Sequence, residues 1–245
     1  MAKKQPLLIA QDISLTYEIR SLRNNKSRWT KFTSAIVGHK KTIRALQNMS
    51  LQLNSGEIVA VVGIAGSGKS SLLETLGGAA KPDTGEIWAV EDPVLLQGSF
   101  ATFGQLSGAE NVRLALLSMG MNKSEAAQLG REIIDSAKVK KIAHNPISSY
   151  SSTTKKKLML EIALSQNPRI LLIDQRIKLR GIDERTEFEE RIKSLAKSGC
   201  CVVFVGLPFS RITEICNRMI WLDQGQIKED GTIKRVLPLF RNRKS

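Results

Sequence analysis

Nowhere do the 245 residues contain an apolar run of the roughly 18 or more that a membrane span needs. Runs such as Ile170-Leu171-Leu172-Ile173 and Cys201-Val202-Val203-Phe204-Val205 have the length of buried strands. The N-terminus, Met1-Ala2-Lys3-Lys4-Gln5-Pro6, has no apolar signal-peptide core. Together these absences lead us to expect a protein that stays in the cytoplasm. Cysteine is scarce: the three, at positions 200, 201 and 216, are too few and too unevenly spaced for a disulfide framework or a zinc site, and are expected to be reduced packing residues. Histidine is scarcer still, and His39 and His144 have no Cys or carboxylate cluster beside them, so they read as surface residues rather than ligands. Acidic residues are also in deficit. The resulting net charge of +14 calls for a polyanionic neighbour, either nucleic acid or an anionic membrane face. Much of that charge sits in a basic insertion at about 20–41, where Arg23, Lys26, Arg28, Lys31 and Lys40 are interleaved with Trp29 and Phe32. Such a stretch reads as a solvated loop or hairpin, with contact to anionic lipid as the other reading.

What the chain does have is a phosphate-binding loop. Residues 63–70 read Gly63-Ile64-Ala65-Gly66-Ser67-Gly68-Lys69-Ser70, directly after the strand-like run Ile58-Val59-Ala60-Val61-Val62 and ahead of a helix beginning near Ser71. Glycines at 63, 66 and 68 let successive backbone N–H groups turn inward onto phosphate oxygens where a Cβ would obstruct. The following helix adds the positive end of its dipole. Lys69 can reach the β- and γ-phosphates and the Ser70 hydroxyl can ligate Mg²⁺, so the expected ligand is a nucleoside triphosphate with its metal.

Around this loop the chain alternates strand and helix. Leu7–Ala10 and Ile13–Tyr17 suggest two strands, resumed after the insertion by Ala45–Leu53. Turns at Asn54-Ser55-Gly56-Glu57 and Lys81-Pro82-Asp83-Thr84-Gly85 lead into the loop strand and into a strand at Glu86–Val90. From Ala109 to about His144 the periodicity is helical. Helix, strand, helix, strand and helix then follow at Lys156–Leu164, Ile170–Asp174, Asp183–Ser198, Cys201–Val205 and Ser210–Asn217. That order predicts an α/β fold with a mainly parallel sheet core, an N-terminal antiparallel β part and a helical subdomain at about 106–165, all within one domain spanning 1–245.

The order of these parts resembles the nucleotide-binding subunit of ATP-binding cassette (ABC) transporters, in particular the polysaccharide and polyol-phosphate (O-antigen and teichoic acid) exporter branch. Pro82-Asp83-Thr84-Gly85-Glu86-Ile87 is similar to that family's Pro-Thr-x-Gly turn, and Leu106-Ser107-Gly108-Ala109-Glu110-Asn111-Val112 to the exporter branch's Leu-Thr-Gly-Arg-Glu-Asn-Val segment. Cys216–Leu222 with Gly225-Gln226-Ile227 and Asp230-Gly231 resembles its C-terminal strands. The resemblance implies ATP and Mg²⁺ as cofactors, with Gly63 through Ser71 around the phosphates and Ser70, Asp174 and Gln97 at the metal. It further implies Tyr17 stacked on adenine, and Ser151 and Ser152 as the start of a signature helix facing a second subunit's nucleotide.

Three positions depart from the family pattern. Tyr150-Ser151-Ser152-Thr153-Thr154 resembles a Tyr-Ser-Ser-Gly-Met signature, and its first serine, Ser151, lies the expected 23 residues before Asp174, but Thr153 carries a Cβ where glycine permits close approach. Arg169–Asp174 resembles a Walker B strand, yet Gln175 stands where the family has its catalytic glutamate, and an amide cannot accept a proton from the attacking water. Leu207, in Val205-Gly206-Leu207-Pro208, stands where the family has its switch histidine. General-base loss costs about 10²–10⁴ in rate, whereas phosphate affinity rests on the loop amides, Lys69 and Mg²⁺. The expectation is therefore an ATPase by family that binds Mg-ATP with slow turnover or none.

The function so implied is the ATP-binding subunit of an exporter for a polysaccharide or polyol-phosphate polymer, peripheral on the cytoplasmic face of the membrane. A homodimer or heterodimer of cassettes would close on ATP and drive a separate integral membrane permease through the groove around Gln97 to Glu110. The alternative is a non-hydrolysing regulatory or scaffold protein that pairs with an active cassette. Nucleic acid is disfavoured as a partner because the ABC proteins that bind it carry two cassettes per chain. Small-molecule P-loop kinases are disfavoured because they need no signature helix.

Overall fold

The computed structural model describes residues 5–20, 40–96, 102–165, 167–174 and 182–242. Three strands form an antiparallel sheet in the order β2-β1-β4: β1 (Pro6–Arg20), β2 (Lys40–Asn54) and β4 (Thr84–Ala89). A second sheet has six strands, β5-β6-β7-β3-β8-β9, comprising β3 (Ile58–Val62), β5 (Val94–Leu96), β6 (Ile170–Asp174), β7 (Cys201–Val205), β8 (Arg218–Asp223) and β9 (Gln226–Gly231). All its pairs are parallel except β8 with β9. Every residue of β3, β6 and β7 is buried, which is why these strands read as unbroken apolar runs rather than as alternation.

Helix α1 (Lys69–Leu76) follows β3. Three helices, α2 (Gly108–Ser118), α3 (Lys123–Ser136) and α4 (Ser152–Leu164), bury a cluster of their own built on Val112, Leu116, Ile133, Ile147, Leu158 and Ile162. Reciprocal capping boxes start two of them, Ser107 with Glu110 and Asn122 with Glu125, each satisfying orphan N–H groups of the first turn. The chain then runs through α5 (Ile182–Lys197), α6 (Phe209–Ile215) and α7 (Ile233–Arg241). Across the sheet, Arg218 binds the Glu57 carboxylate at 2.8 Å and Asp230 at 2.6 Å, and donates to the Gln52 carbonyl at 2.8 Å. Asp230 above all holds that guanidinium's pKa higher than usual.

The α/β class, the N-terminal antiparallel part and the mainly parallel core are as the sequence predicts. Several boundaries differ. The two strands expected at Leu7–Ala10 and Ile13–Tyr17 are one, because Asp12 and Asn48 take left-handed φ values of 50° and 45° and absorb the register shifts as bulges. Side chains stitch across the bulge: the Asp12 N–H donates to Ser50 Oγ, Ser50 Oγ to Asp12 Oδ1, and Ser14 Oγ to Asn48 Oδ1. Helix α4 begins at Ser152 rather than Lys156, because Ser151 caps it. The strand β5 and the helix α7 were not expected, although Ile233, Val236, Leu237 and Phe240 have helical spacing, and the last three are buried. Of the basic insertion, residues 21–39 lie outside the described residues, as does the expected surface position of His39. His144 is exposed. The three thiols are free, with Cys200 and Cys201 buried and Cys216 half-buried. Burial pushes the Cys200 and Cys216 thiols up to about 12. At pH 8 only about one in ten thousand is thiolate, so we expect negligible labelling of the folded chain by maleimide over an hour and full labelling in denaturant, scored by intact mass.

Candidate nucleotide site

The glycine-rich turn lies between the buried carboxyl end of β3 and the first residue of α1. Two of its glycines are required by space and two by backbone conformation. A Cβ on Gly63 would run into the Ser67 hydroxyl and the Leu222 carbonyl, and one on Gly68 into the Ala45 carbonyl. Gly66 and Gly68 have φ of 78° and 98°, which L side chains rarely adopt, but the space around Gly66 is open. We therefore expect Gly66→Ala to lower stability by about 1–2 kcal/mol. Gly68→Ala adds a clash with backbone and is expected to lose about 3 kcal/mol or more, together with nucleotide binding. Thermal unfolding of the two variants checks the ranking.

The turn is clamped from behind. Ser67 is 1% exposed, and its carbonyl accepts from the Gly225 N–H at 3.1 Å. The Gly225 carbonyl accepts from the Gln47 N–H at 2.8 Å, and the Gln47 amide donates to the Gln224 carbonyl at 2.7 Å. Strand β2 and the β8–β9 turn thus fix the loop's shape. Sequence reasoning missed Ala45, Gln47, Gln224 and Gly225 in this role. Only the Gln224-Gly225 turn left a signal: Ala45 acts through a carbonyl that any side chain could accompany, whereas a Cβ on Gly225, at φ 75°, would run into that carbonyl.

Lys69 extends back over the loop, its Nζ donating to the carbonyls of Gly63 at 2.9 Å and Ile64 at 2.6 Å and to Ser67 Oγ at 3.2 Å. Burial lowers its pKa from the ordinary lysine value, and the negative charge of Asp174 partly opposes that shift. Asp174 ends β6 at 4% exposure, and Ser70 Oγ donates to its Oδ2 at 3.5 Å. A hydroxyl and a carboxylate so paired, beside a phosphate-binding turn, are hard oxygen donors of the kind Mg²⁺ takes when substrate phosphates and water complete its shell. Among the described residues no cluster of three or more His, Cys, Asp or Glu could hold a metal by itself.

The other expected site residues are placed as follows. Ile64, Ala65 and Gly66 form the exposed crest of the turn, and Ser71 is half-buried in the first turn of α1. Tyr17 lies on β1 opposite Ile43; the residue is 37% exposed and its hydroxyl donates to Glu74 of α1 at 3.4 Å, tying the tyrosine to the helix that leaves the loop. Ser151 and Ser152 are exposed at the start of α4, on a different element from the loop. Ser151 Oγ accepts from the Thr154 N–H at 3.1 Å. Thr153 lies half-buried in the first turn. Leu207 is half-buried and packs against two apolar clusters, one that includes Val202 and Phe204 of β7 and one built on Ala60, Ile212, Met219 and Val236. Gln97 and Gln175 lie outside the described residues.

A buried parallel strand, a left-handed glycine turn, a lysine folded back over that turn and a serine paired with the acid that ends β6, the next strand but one, together define a P-loop nucleotide-binding protein. The six-stranded sheet with its three-helix insert narrows the class. A model of the family described as ABC transporter matches residues 46–177. The chain is 33% identical over 227 residues to "Teichoic acids export ATP-binding protein TagH" of Staphylococcus epidermidis, covering 92% of this chain and 85% of the relative. It is 30% identical over 229 residues to the Staphylococcus haemolyticus protein of that name, covering 93% and 86%. It therefore belongs to the ABC transporter family. A solved ATP-binding subunit of an ABC transporter superposes with a TM-score of 0.74 at 18% identity, covering 98% of this chain and 95% of that one. A dimeric post-hydrolysis ATP-binding cassette bound to ADP and Pi superposes at 0.72 with 22% identity, covering 93% and 99%. These two likenesses concern the fold alone. No helix among the described residues is long and apolar enough to cross a membrane.

Proposed function

We propose that this chain is one nucleotide-binding domain serving as the ATP-binding subunit of an exporter for a teichoic acid or a related polyol-phosphate or polysaccharide polymer. The observation that carries the reading is the Ser70–Asp174 pair beneath the Lys69 loop, in a chain about one-third identical to teichoic acid export proteins. Ile64 through Ser71 grip the triphosphate with Gly63 at the loop's base, Ser70 and Asp174 hold Mg²⁺ with Gln97, and Tyr17 carries the adenine. Ser151 and Ser152 face the nucleotide of a second cassette. The subunit lies peripherally on the cytoplasmic face of the membrane. Its permease contact is the helical face around a cavity of about 430 Å³ lined by Ser107, Ala109, Glu110, Arg113 and His144. Phe103, 60% exposed, lies in the same 97–110 stretch of chain.

Closure on ATP, rather than rapid turnover, is the step this site supports. Lys69 and the loop amides bind the phosphates, but Gln175 lacks a basic oxygen and Leu207 is committed to apolar packing. That packing also favours a second reading, a non-hydrolysing regulatory subunit paired with an active cassette. Affinity purification from membranes separates the two. Recovery of a permease with this chain as the sole cassette supports the exporter subunit, and recovery of a second cassette species supports the regulator. Failure of a fluorescent ATP analogue to bind saturably refutes both.

A further inference from the structure

Among the described residues three carboxylates are buried, and two already have an account: Glu57 in the Arg218 network and Asp174 at the nucleotide site. The third, Glu161, is 7% exposed in the C-terminal half of α4. Its Oε2 accepts from the hydroxyl of Ser136, the last residue of α3, at 2.7 Å and pairs with Arg191 Nη2 of α5 at 3.3 Å. Three helices therefore meet at one oxygen. The position is also where α4 changes partners. Leu158, Met159 and Ile162 belong to the helical cluster, whereas Ala163 and Leu164 belong to the cluster that covers the six-stranded sheet. Helix α5 is in turn held to α6 by Glu189 and Arg211 at 3.3 Å, just beyond Gly206 and Leu207.

We propose that Glu161, through Arg191 and Ser136, is a positioning residue that sets the angle of α4 against the sheet and thereby aims the Ser151–Ser152 end. An apolar residue would hold the helices together as well, since a buried ion pair contributes little net stability. What the carboxylate adds is direction, because both partners must stay at hydrogen-bonding geometry or leave a charge partly unpaired in an apolar setting. Ser152 lies nine residues before Glu161, about 13.5 Å along the helix, so a 10° swing there displaces the helix start by about 2 Å. That exceeds what a phosphate hydrogen bond tolerates. Arg191 is 42% exposed, so its half of the tie is the weaker one and can open without unfolding either helix.

The consequence for assembly rests on the proposed reading that two cassettes close on ATP; the tether itself does not. Spin labels at Ser124→Cys on α3 and Lys228→Cys on β9, both exposed sites, read the angle in the nucleotide-free chain, with the half-buried thiol removed by Cys216→Ser and the buried Cys200 and Cys201 staying unlabelled. Relative to the otherwise unmodified labelled chain, Glu161→Gln and Arg191→Met are expected to widen the distance distribution about twofold, and Arg191→Lys to restore it. ATP affinity should stay within about twofold while ATP-dependent self-association, followed by sedimentation, weakens about tenfold. Unchanged distance distributions in both variants overturn the proposal, including the case in which melting temperature alone falls. If the wild-type chain does not self-associate with ATP, the exporter reading fails, and the distances still decide the tether.

Discussion

Replacing Lys69 with alanine is expected to weaken ATP binding about 10²- to 10³-fold while leaving the fold nearly as stable as before. A charge-assisted hydrogen bond contributes about 1.5–3 kcal/mol, and this ammonium can donate to two phosphate oxygens, so a loss of about 3–4 kcal/mol follows. In the free chain the same group donates to Gly63, Ile64 and Ser67, all within the turn. Removing it forfeits those bonds but also relieves the burial that depresses its pKa. The two effects oppose, and the melting temperature should move by no more than about 3 °C. Lys69→Arg should not rescue, because a planar fork does not fit a half-buried slot shaped for a compact ammonium. Calorimetric titration with Mg-ATP measures the loss directly. A fall of less than tenfold would mean that the lysine does not reach the phosphates.

What was legible in the sequence is what local chemistry dictates. The loop could be read because its glycines, lysine and serine must be contiguous, and the buried strands because burial on both faces leaves no room for polar residues. The helix that the resemblance makes the signature was placed by spacing, and a helix capped by Ser151 is found there. Illegible were the long-range fixings. The Gln47–Gly225 clamp joins positions far apart in the chain through backbone groups, which no residue pattern records. The single strand from Pro6 to Arg20 was split in reading because the bulge at Asp12 interrupts the alternation that marks a strand. Helix α7 is hidden for another reason: its apolar periodicity is plain, but it is short and carries Pro238, a residue that reads as a helix breaker. Leu207 shows the limit most clearly. The resemblance proposes a lost phosphate contact at its position, and only packing reveals that the side chain lies between two apolar clusters.

That packing shapes the other large expected effect, the recovery of hydrolysis. Gln175→Glu restores a basic oxygen with almost no change in volume, and should raise phosphate release above the wild-type rate by about 10²–10³-fold, the usual contribution of a positioned general base. Leu207→His is different. It removes an apolar side chain from the flank of β7 and sets an imidazole there, at a cost of about 1–3 kcal/mol. For a chain of this size, that lowers the melting temperature by about 2–4 °C per kcal/mol. Alone, it should leave turnover near the wild-type level, since a switch contact has no activated water to act on. With Gln175→Glu it should add about tenfold, because groups that act on one transition state are not additive in isolation. Rates are measured as phosphate release under saturating Mg-ATP, with Lys69→Ala setting the background. Unchanged turnover in Gln175→Glu would place the block elsewhere, with Thr153, where the resemblance expects glycine, the next position to vary. A fast wild-type chain would mean that neither replacement is the loss we take it to be.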